Sequence, residues 1–279
     1  MILTRDAGLC IEDVRIAGHA QPITLRSYRP ASKGKVLAVV LYFHGGAFDS
    51  GSLDDAHTAA IHIARGTPAW VLSVDYSLAP QFPFPAAPED GYRALAWAVS
   101  NARAQWADPL RVGVAGHDAG GNLATCVAAI ARDRADITLS AQVLLAPLLD
   151  PSMTHVADEK RISSGVDISH FERGYRAYLQ HPALQLHPYA APLDSVRLAR
   201  LPPAFIISAP SDRLHVEAEM YADKLIASGV PAEVRRYPGT SRDALATSQE
   251  VLGDVVTFLR SRLDGPDFVP DTTADTEDQ

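Results

Sequence analysis

Six runs of largely apolar residues recur along the chain from residue 36 onward: KVLAVVLYFHGG, AWVLSVDYS, RVGVAGHD, AQVLLAPLL, PAFIISAP and AEVRRYPG. A strand with one wet face alternates apolar and polar residues, whereas a strand covered on both faces reads as a continuous run. The segments between the runs are helical in period. Leu214, Ala218, Tyr221 and Leu225 share one face of a segment that ends at Gly229, and Leu252, Val255, Val256, Leu259 and Leu263 share a face of the last helix. Strand and helix in alternation predict an α/β fold with a mostly parallel sheet and helices on both faces. Ahead of it, LCIEDVRI and PITLRSYRP alternate as half-buried antiparallel strands do, which brings the expected count to eight. Residues 151–190 are rich in His, Ser and Pro and poorly periodic; an insertion of that length between the sixth and seventh strands reads as a reduced cap over a site.

With 279 residues and 47% hydrophobic content the chain can bury one large core, and a single domain over 1–263 carrying that cap is expected. The net charge of −8 argues against a nucleic-acid partner. Much of that net negative charge lies in LDGPDFVPDTTADTEDQ, which has no Lys or Arg, so residues 264–279 read as a disordered acidic tail. The two cysteines, Cys10 and Cys126, make no disulfide framework. MILTRDAGLC lacks the basic flank and long apolar run of a leader, and no stretch approaches a membrane span, so a cytoplasmic protein without a membrane partner is expected. No cofactor and no metal is expected.

Three motifs carry chemistry. VGVAGHDAGGNLA (112–124) reads as strand, sharp turn and helix, with Asp118 at the tip of a Gly-x-x-x-Gly frame. FHGGAF follows the third strand, and its paired glycines free the backbone to aim N–H groups at a developing oxyanion. DYSLAPQFPFPAAPED is an extended, proline-rich bend that enters a helix near Pro88. Taken in this order, His44-Gly45-Gly46-Ala47, Tyr76 to Pro80, Phe84 to Ala87 and Gly116 to Leu123 resemble the hormone-sensitive-lipase-like branch of the α/β-hydrolase fold, which includes many bacterial carboxylesterases. ADPLRVGVAG and HPYAAPLDSVRLARLPPAFI are also similar to that branch, and the resemblance spans roughly residues 36 to 260.

That resemblance implies a nucleophile, acid and base in the order Ser, Asp, His. SAPSDRLHVEAEMYADKL places Asp212 at the acid, and RRYPGTSRDAL places Arg242 at the base, so the three positions read Asp118, Asp212, Arg242. It further implies oxyanion donors at Gly45, Gly46 and Ala119, and a pocket to which His44, Phe48, His117 and His215 are candidates. Ser77 and Gln81 stand where the family often keeps Arg and Glu. A serine hydroxyl attacks a carbonyl by losing its proton to histidine. Asp118 is already ionised, at a helix N-terminus beside N–H donors, and Arg242 cannot act as a base. An arginine can bridge two carboxylates, and an ion-paired chain Asp118–Arg242–Asp212 is expected.

Three functions remain open on the sequence. The first is a small-molecule-binding relative of the carboxylesterases that is not a conventional serine esterase. The second is a hydrolase using Asp118 as nucleophile at saturated carbon, as in the haloalkane dehalogenases and epoxide hydrolases of this fold. It requires a histidine to activate water, and His117, His215, His155, His170, His181 and His187 are the candidates, with packing or solvated roles as the plainer alternative. The third is a lyase or isomerase using Asp118 as an acid or base, or a scaffold, with a homodimer through the edge strand AEVRRYP as a possible assembly.

Overall fold

The computed structural model describes residues 2–6, 8–31, 34–157 and 168–264. The expected acidic tail over 264–279 lies, beyond Asp264, outside the described residues, as does the 158–167 part of the expected cap. Three N-terminal strands, β1 (Ile2–Asp6), β2 (Leu9–Ala17) and β3 (Pro22–Pro30), lead into β4 (Leu37–Phe43) and β5 (Ala69–Asp75). Then follow β6 (Ala107–His117), β7 (Ala141–Leu145), β8 (Ala204–Ser208) and β9 (Ala232–Arg236). They form one sheet in the order β1-β2-β3-β5-β4-β6-β7-β8-β9. β1, β2, β3 and β5 pair antiparallel, and from β5 to β9 every pairing is parallel.

All seven residues of β4 are buried because both faces are covered. Leu37, Val39, Leu41 and Phe43 join one core cluster with residues of the helices α2 (Ala86–Asn101), α3 (Ala119–Arg134) and α5 (His215–Ala227). Ala38, Val40 and Tyr42 alternate to the other face, in a cluster with α1 (His57–Gly66) and α6 (Gln249–Leu263). The apolar faces anticipated for the last two helices are buried as expected.

Three features depart from the sequence reading. Among the described residues the sheet has nine strands, one more than the eight expected, since β1 adds an edge to the antiparallel side. β9, counted among the doubly covered runs although its segment was also read as an edge strand, lies at the sheet edge as that second reading has it, and its Glu233, Arg235 and Arg236 all face solvent. Such charges are what a free edge carries to discourage further pairing. Within the insertion, Ile168–Tyr178 forms a helix, α4, with Phe171, Gly174, Tyr175 and Tyr178 buried. Its apolar stripe is aromatic and only two turns long, so the surrounding His, Arg and Glu obscured its period.

The topology fixes where a site can lie. The chain leaves β4 toward β5 on one side and later crosses back to β6 on the other. At such a switch point the loops beyond the carboxyl ends diverge and leave a crevice. The loop after Phe43 and the turn after His117 meet there.

Candidate active site

Asp118 sits between β6 and α3 with φ 57° and ψ −119°, a conformation that side-chain-bearing residues rarely adopt. Two glycines make the turn sterically possible. A Cβ on Gly116 would lie 2.1 Å from the Gly120 carbonyl oxygen, and one on Gly120 would lie 2.1 Å from that of Phe43. Backbone bonds then fix the tip: Asp118 N–H donates to Leu145 O at 2.9 Å, and its carbonyl accepts from Gly121, Asn122 and Leu148. The Asp118 side chain does not cap its own helix. It is aimed back at the loop after β4.

That loop turns through three successive residues at positive φ, Gly46 (115°), Ala47 (48°) and Phe48 (69°). The turn directs the Gly46 and Ala47 N–H groups at one point, and Asp118 Oδ2 occupies it, at 3.0 and 2.8 Å. Ala47 was absent from the expected donors. Among the described residues neither Gly45 nor Ala119 donates to the carboxylate. Gly45 serves a steric role: a Cβ there would lie 2.9 Å from His117 Nδ1. The HGGA run shows that donors are present, but only the φ sequence of the folded loop shows which two converge.

Asp118 Oδ1 is taken by Arg242, which donates from Nη2 at 2.6 Å and from Nε at 3.2 Å. Arg242 Nη1 donates to Asp212 Oδ2, and Nη2 also donates to the Ala146 carbonyl at 2.5 Å. Asp212 Oδ1 accepts from Leu214 N–H at 3.0 Å. The three side chains therefore form an ion-paired chain buried almost completely, at 4%, 1% and 2% exposure for Asp118, Asp212 and Arg242. Burial acts to raise the Asp118 pKa. Arg242, then His117 and the Ala47 N–H, outweigh it and hold the carboxyl well below the usual carboxylate range. For Arg242 burial favours loss of the proton, but Asp212 and Asp118 keep it firmly charged.

The chain is roofed by α4. The Arg242 guanidinium lies over the Phe171 ring at 4.7 Å, and Gly174 packs so tightly that a Cβ would meet Ala47 O at 2.1 Å. Phe48, a pocket candidate, is instead buried in this roof, stacked on Tyr178 with centroids 4.1 Å apart.

On the opposite side, between β4 and the loop after it, the end of β6 and the segments just ahead of α1 and α6, lies an open cavity of about 460 Å³. His44 and His117 both line it. His44 stacks on Tyr76 at 4.2 Å. His117 follows the β6 alternation to the α1/α6 face, where it is half-buried rather than packed in the core. Its Nε2 lies 3.1 Å from the Arg242 carbonyl, and burial lowers its pKa. The sequence reading missed Tyr42, Asp55 and Asp243, which line the same cavity. They come from three distant segments, and no local motif joins them.

The other candidate histidines engage other groups. His215 bonds the Asp212 carbonyl at 2.7 Å, and His155 pairs with Asp150 at 2.9 Å. His181 caps a 3-10 turn, His187 packs against Phe84, and His170 packs against Phe171. Among the described residues no imidazole hydrogen-bonds the Asp118 carboxylate, and no group of three His, Cys, Asp or Glu is placed to hold a metal. No described helix is long and apolar enough to cross a membrane.

Comparison with known proteins agrees with this architecture. Residues 40–245 match the model of a family described by the α/β hydrolase fold. Esterase LipI of Mycobacterium tuberculosis is 39% identical over 235 residues, covering 81% of this chain and 72% of that protein. Ethyl acetate hydrolase of Pseudomonas putida is 34% identical, covering 84% and 75%. The structure of a hyperthermophilic esterase from the archaeon Pyrobaculum calidifontis superposes with a TM-score of 0.83 at 35% identity, covering 90% of this chain and 83% of that one.

Proposed function

This chain belongs to the α/β-hydrolase-fold family, among relatives named as carboxylesterases, and from that premise we propose that it is a divergent member that binds a small molecule without hydrolysing esters at Asp118. One observation carries the reading. The two N–H groups that would receive the oxyanion of a tetrahedral intermediate are already filled by Asp118 Oδ2. An oxyanion hole accelerates reaction because its donors are satisfied more fully in the transition state than before it. Here the ground state holds a full negative charge on those donors, so attack would have to vacate them or force two anions to share them.

The base position adds to this. Arg242 holds its proton against two carboxylates and cannot accept one from a nucleophile or a water. An alkyl-ester intermediate on Asp118 would likewise lack an imidazole to activate water for its release. The depressed pKa of Asp118 also makes it a weak base for proton abstraction from carbon. What stays accessible is the cavity beside the elbow, lined by His44 and His117, and the ligand is assigned there.

The test is direct. Incubation with p-nitrophenyl acetate and butyrate at neutral pH is expected to show no turnover that depends on Asp118, so wild type and Asp118→Asn should give the same background. Turnover that Asp118→Asn abolishes would overturn the reading.

A further inference from the structure

The open cavity has a definite hydrogen-bonding character, which can be worked out group by group. His44 Nδ1 lies 2.7 Å from the Gly45 carbonyl, an acceptor, so Nδ1 carries the proton and Nε2 presents a bare lone pair. His117 Nε2 faces the Arg242 carbonyl at 3.1 Å, so there Nδ1 is the bare nitrogen. Burial lowers the pKa of both rings, which keeps both neutral and accepting. Ser50 gives its hydroxyl proton to the Gly46 carbonyl at 2.9 Å and retains only lone pairs. The charged side chains lining the cavity are Asp55 and Asp243, both exposed, with no Lys or Arg among the lining residues.

A cluster of acceptors and acids is common on protein surfaces, and a second observation sets this one apart. His44 is 1% exposed and its Nε2 has no hydrogen-bond partner; the same holds for the hydroxyl of Tyr42, which lines the same cavity. Buried polar atoms are nearly always paired, because desolvation without a partner is unfavourable. An orphaned acceptor beside a cavity of ligand size is a place where an incoming donor recovers that loss.

We propose that this cavity binds a small organic cation, a primary alkylammonium, whose N–H donors are received by His44 Nε2 and the neighbouring acceptors and whose charge is balanced by Asp55 and Asp243. An ammonium group offers three donors and no acceptor, which suits the two bare imidazole nitrogens, the Ser50 lone pairs and the two acids, and the Tyr42 hydroxyl can turn to accept as well as donate. A carboxylate or phosphate would find one side-chain donor without a partner, the Tyr42 hydroxyl, against those lone pairs and two like charges. A bare metal ion lacks a site, since no three His, Cys, Asp or Glu among the described residues are placed to hold one. The assignment rests on the binding role proposed above and names its ligand class.

Calorimetric titration at neutral pH with n-butylammonium, butyrate and 1-butanol tests it, because the three probes share a chain and differ in charge. Butylammonium is expected to saturate one site, with butyrate and butanol at least tenfold weaker. The double variant Asp55→Asn/Asp243→Asn, at two exposed positions, should lose at least tenfold in butylammonium affinity. Equal binding of butanol or butyrate overturns the cation assignment and leaves the binding role standing. An unchanged double variant, or no saturable binding of butylammonium, also overturns it. The ester assay reads the other proposal separately: Asp118-dependent hydrolysis alongside intact butylammonium binding would remove the non-hydrolytic reading and keep the cation site.

Discussion

At position 118 a carboxylate meets four N–H donors, two from backbone and two from one guanidinium, whereas a serine hydroxyl would leave most of them open. Arg242 is the cation that both buried carboxylates share, so removing it exposes the two of them. Replacing Arg242 with Met leaves Asp118 and Asp212 buried without a cation, at an expected cost of about 3–5 kcal/mol in urea unfolding at neutral pH. The loss should shrink at lower pH, since one of the two unpaired carboxyls then takes up a proton. A variant as unstable at pH 5 as at pH 7 would mean that the pair is not desolvated. Replacing both altered positions, Asp118→Ser with Arg242→His, frees the Gly46 and Ala47 N–H groups and sets an imidazole beside Asp212. That double variant is expected to release p-nitrophenolate from the acetate ester faster than wild type or either single variant. Equal rates in all four proteins would show that the frame around the elbow no longer supports acyl transfer.

At the scale of elements, α4 decides access. Its Gly174 rests on the Ala47 carbonyl, and Phe171 covers Arg242, so the helix covers that side of the elbow. Gly174→Ala must move either α4 or the strained loop at Ala47 and Phe48, a shift of the kind that costs about 1–3 kcal/mol. The expected outcome is faster amide hydrogen exchange across 168–178, with β4 and β6 unchanged. Uniform acceleration over the whole sheet would instead mean that α4 unfolds only with the domain. The sequence identified the insertion but not this helix, because Phe171, Tyr175 and Tyr178 make too short a stripe to stand out. The elbow itself was legible, since Gly116 and Gly120 are spaced for a turn that only glycine permits there.

For the whole molecule, the buried acids set how stability varies with pH. Burial pushes the Glu217 carboxyl up to about 8, with Asp150 adding to it and Arg242 and the Leu149 and Asp150 N–H groups opposing. The folded state therefore holds this proton where the unfolded chain, with a value of 4.5, has lost it. Stability from this group is fully present below 4.5 and falls as pH rises toward about 8. Asp118 acts in the opposite sense: its folded pKa is depressed, so its contribution is present above the unfolded value of 3.8 and lost as pH drops below it. The buried histidines His44 and His117, whose pKa values burial lowers, act against Glu217 over the lower part of that range, so Glu217 is read by difference: from pH 5 to pH 8 the urea midpoint of the wild type should fall relative to that of Glu217→Gln. A difference between the two proteins that does not change with pH would exclude a raised Glu217.

The sequence by itself determined the alternation of strand and helix from β4 to β8, because burial on both faces of a sheet writes unbroken apolar runs into the chain. It also determined that Asp118, Asp212 and Arg242 stand at the site, through motifs kept in register with a known family. Only the tertiary structure decided which N–H groups the carboxylate takes, since that depends on three consecutive positive φ values rather than on residue type. The cavity was likewise beyond the sequence: Tyr42, Asp55 and Asp243 lie far apart along the chain, and only the crossover from β5 back to β6 brings their segments together. The acceptor character of that cavity follows from which nitrogen of each histidine faces a carbonyl, and that is a property of the fold alone.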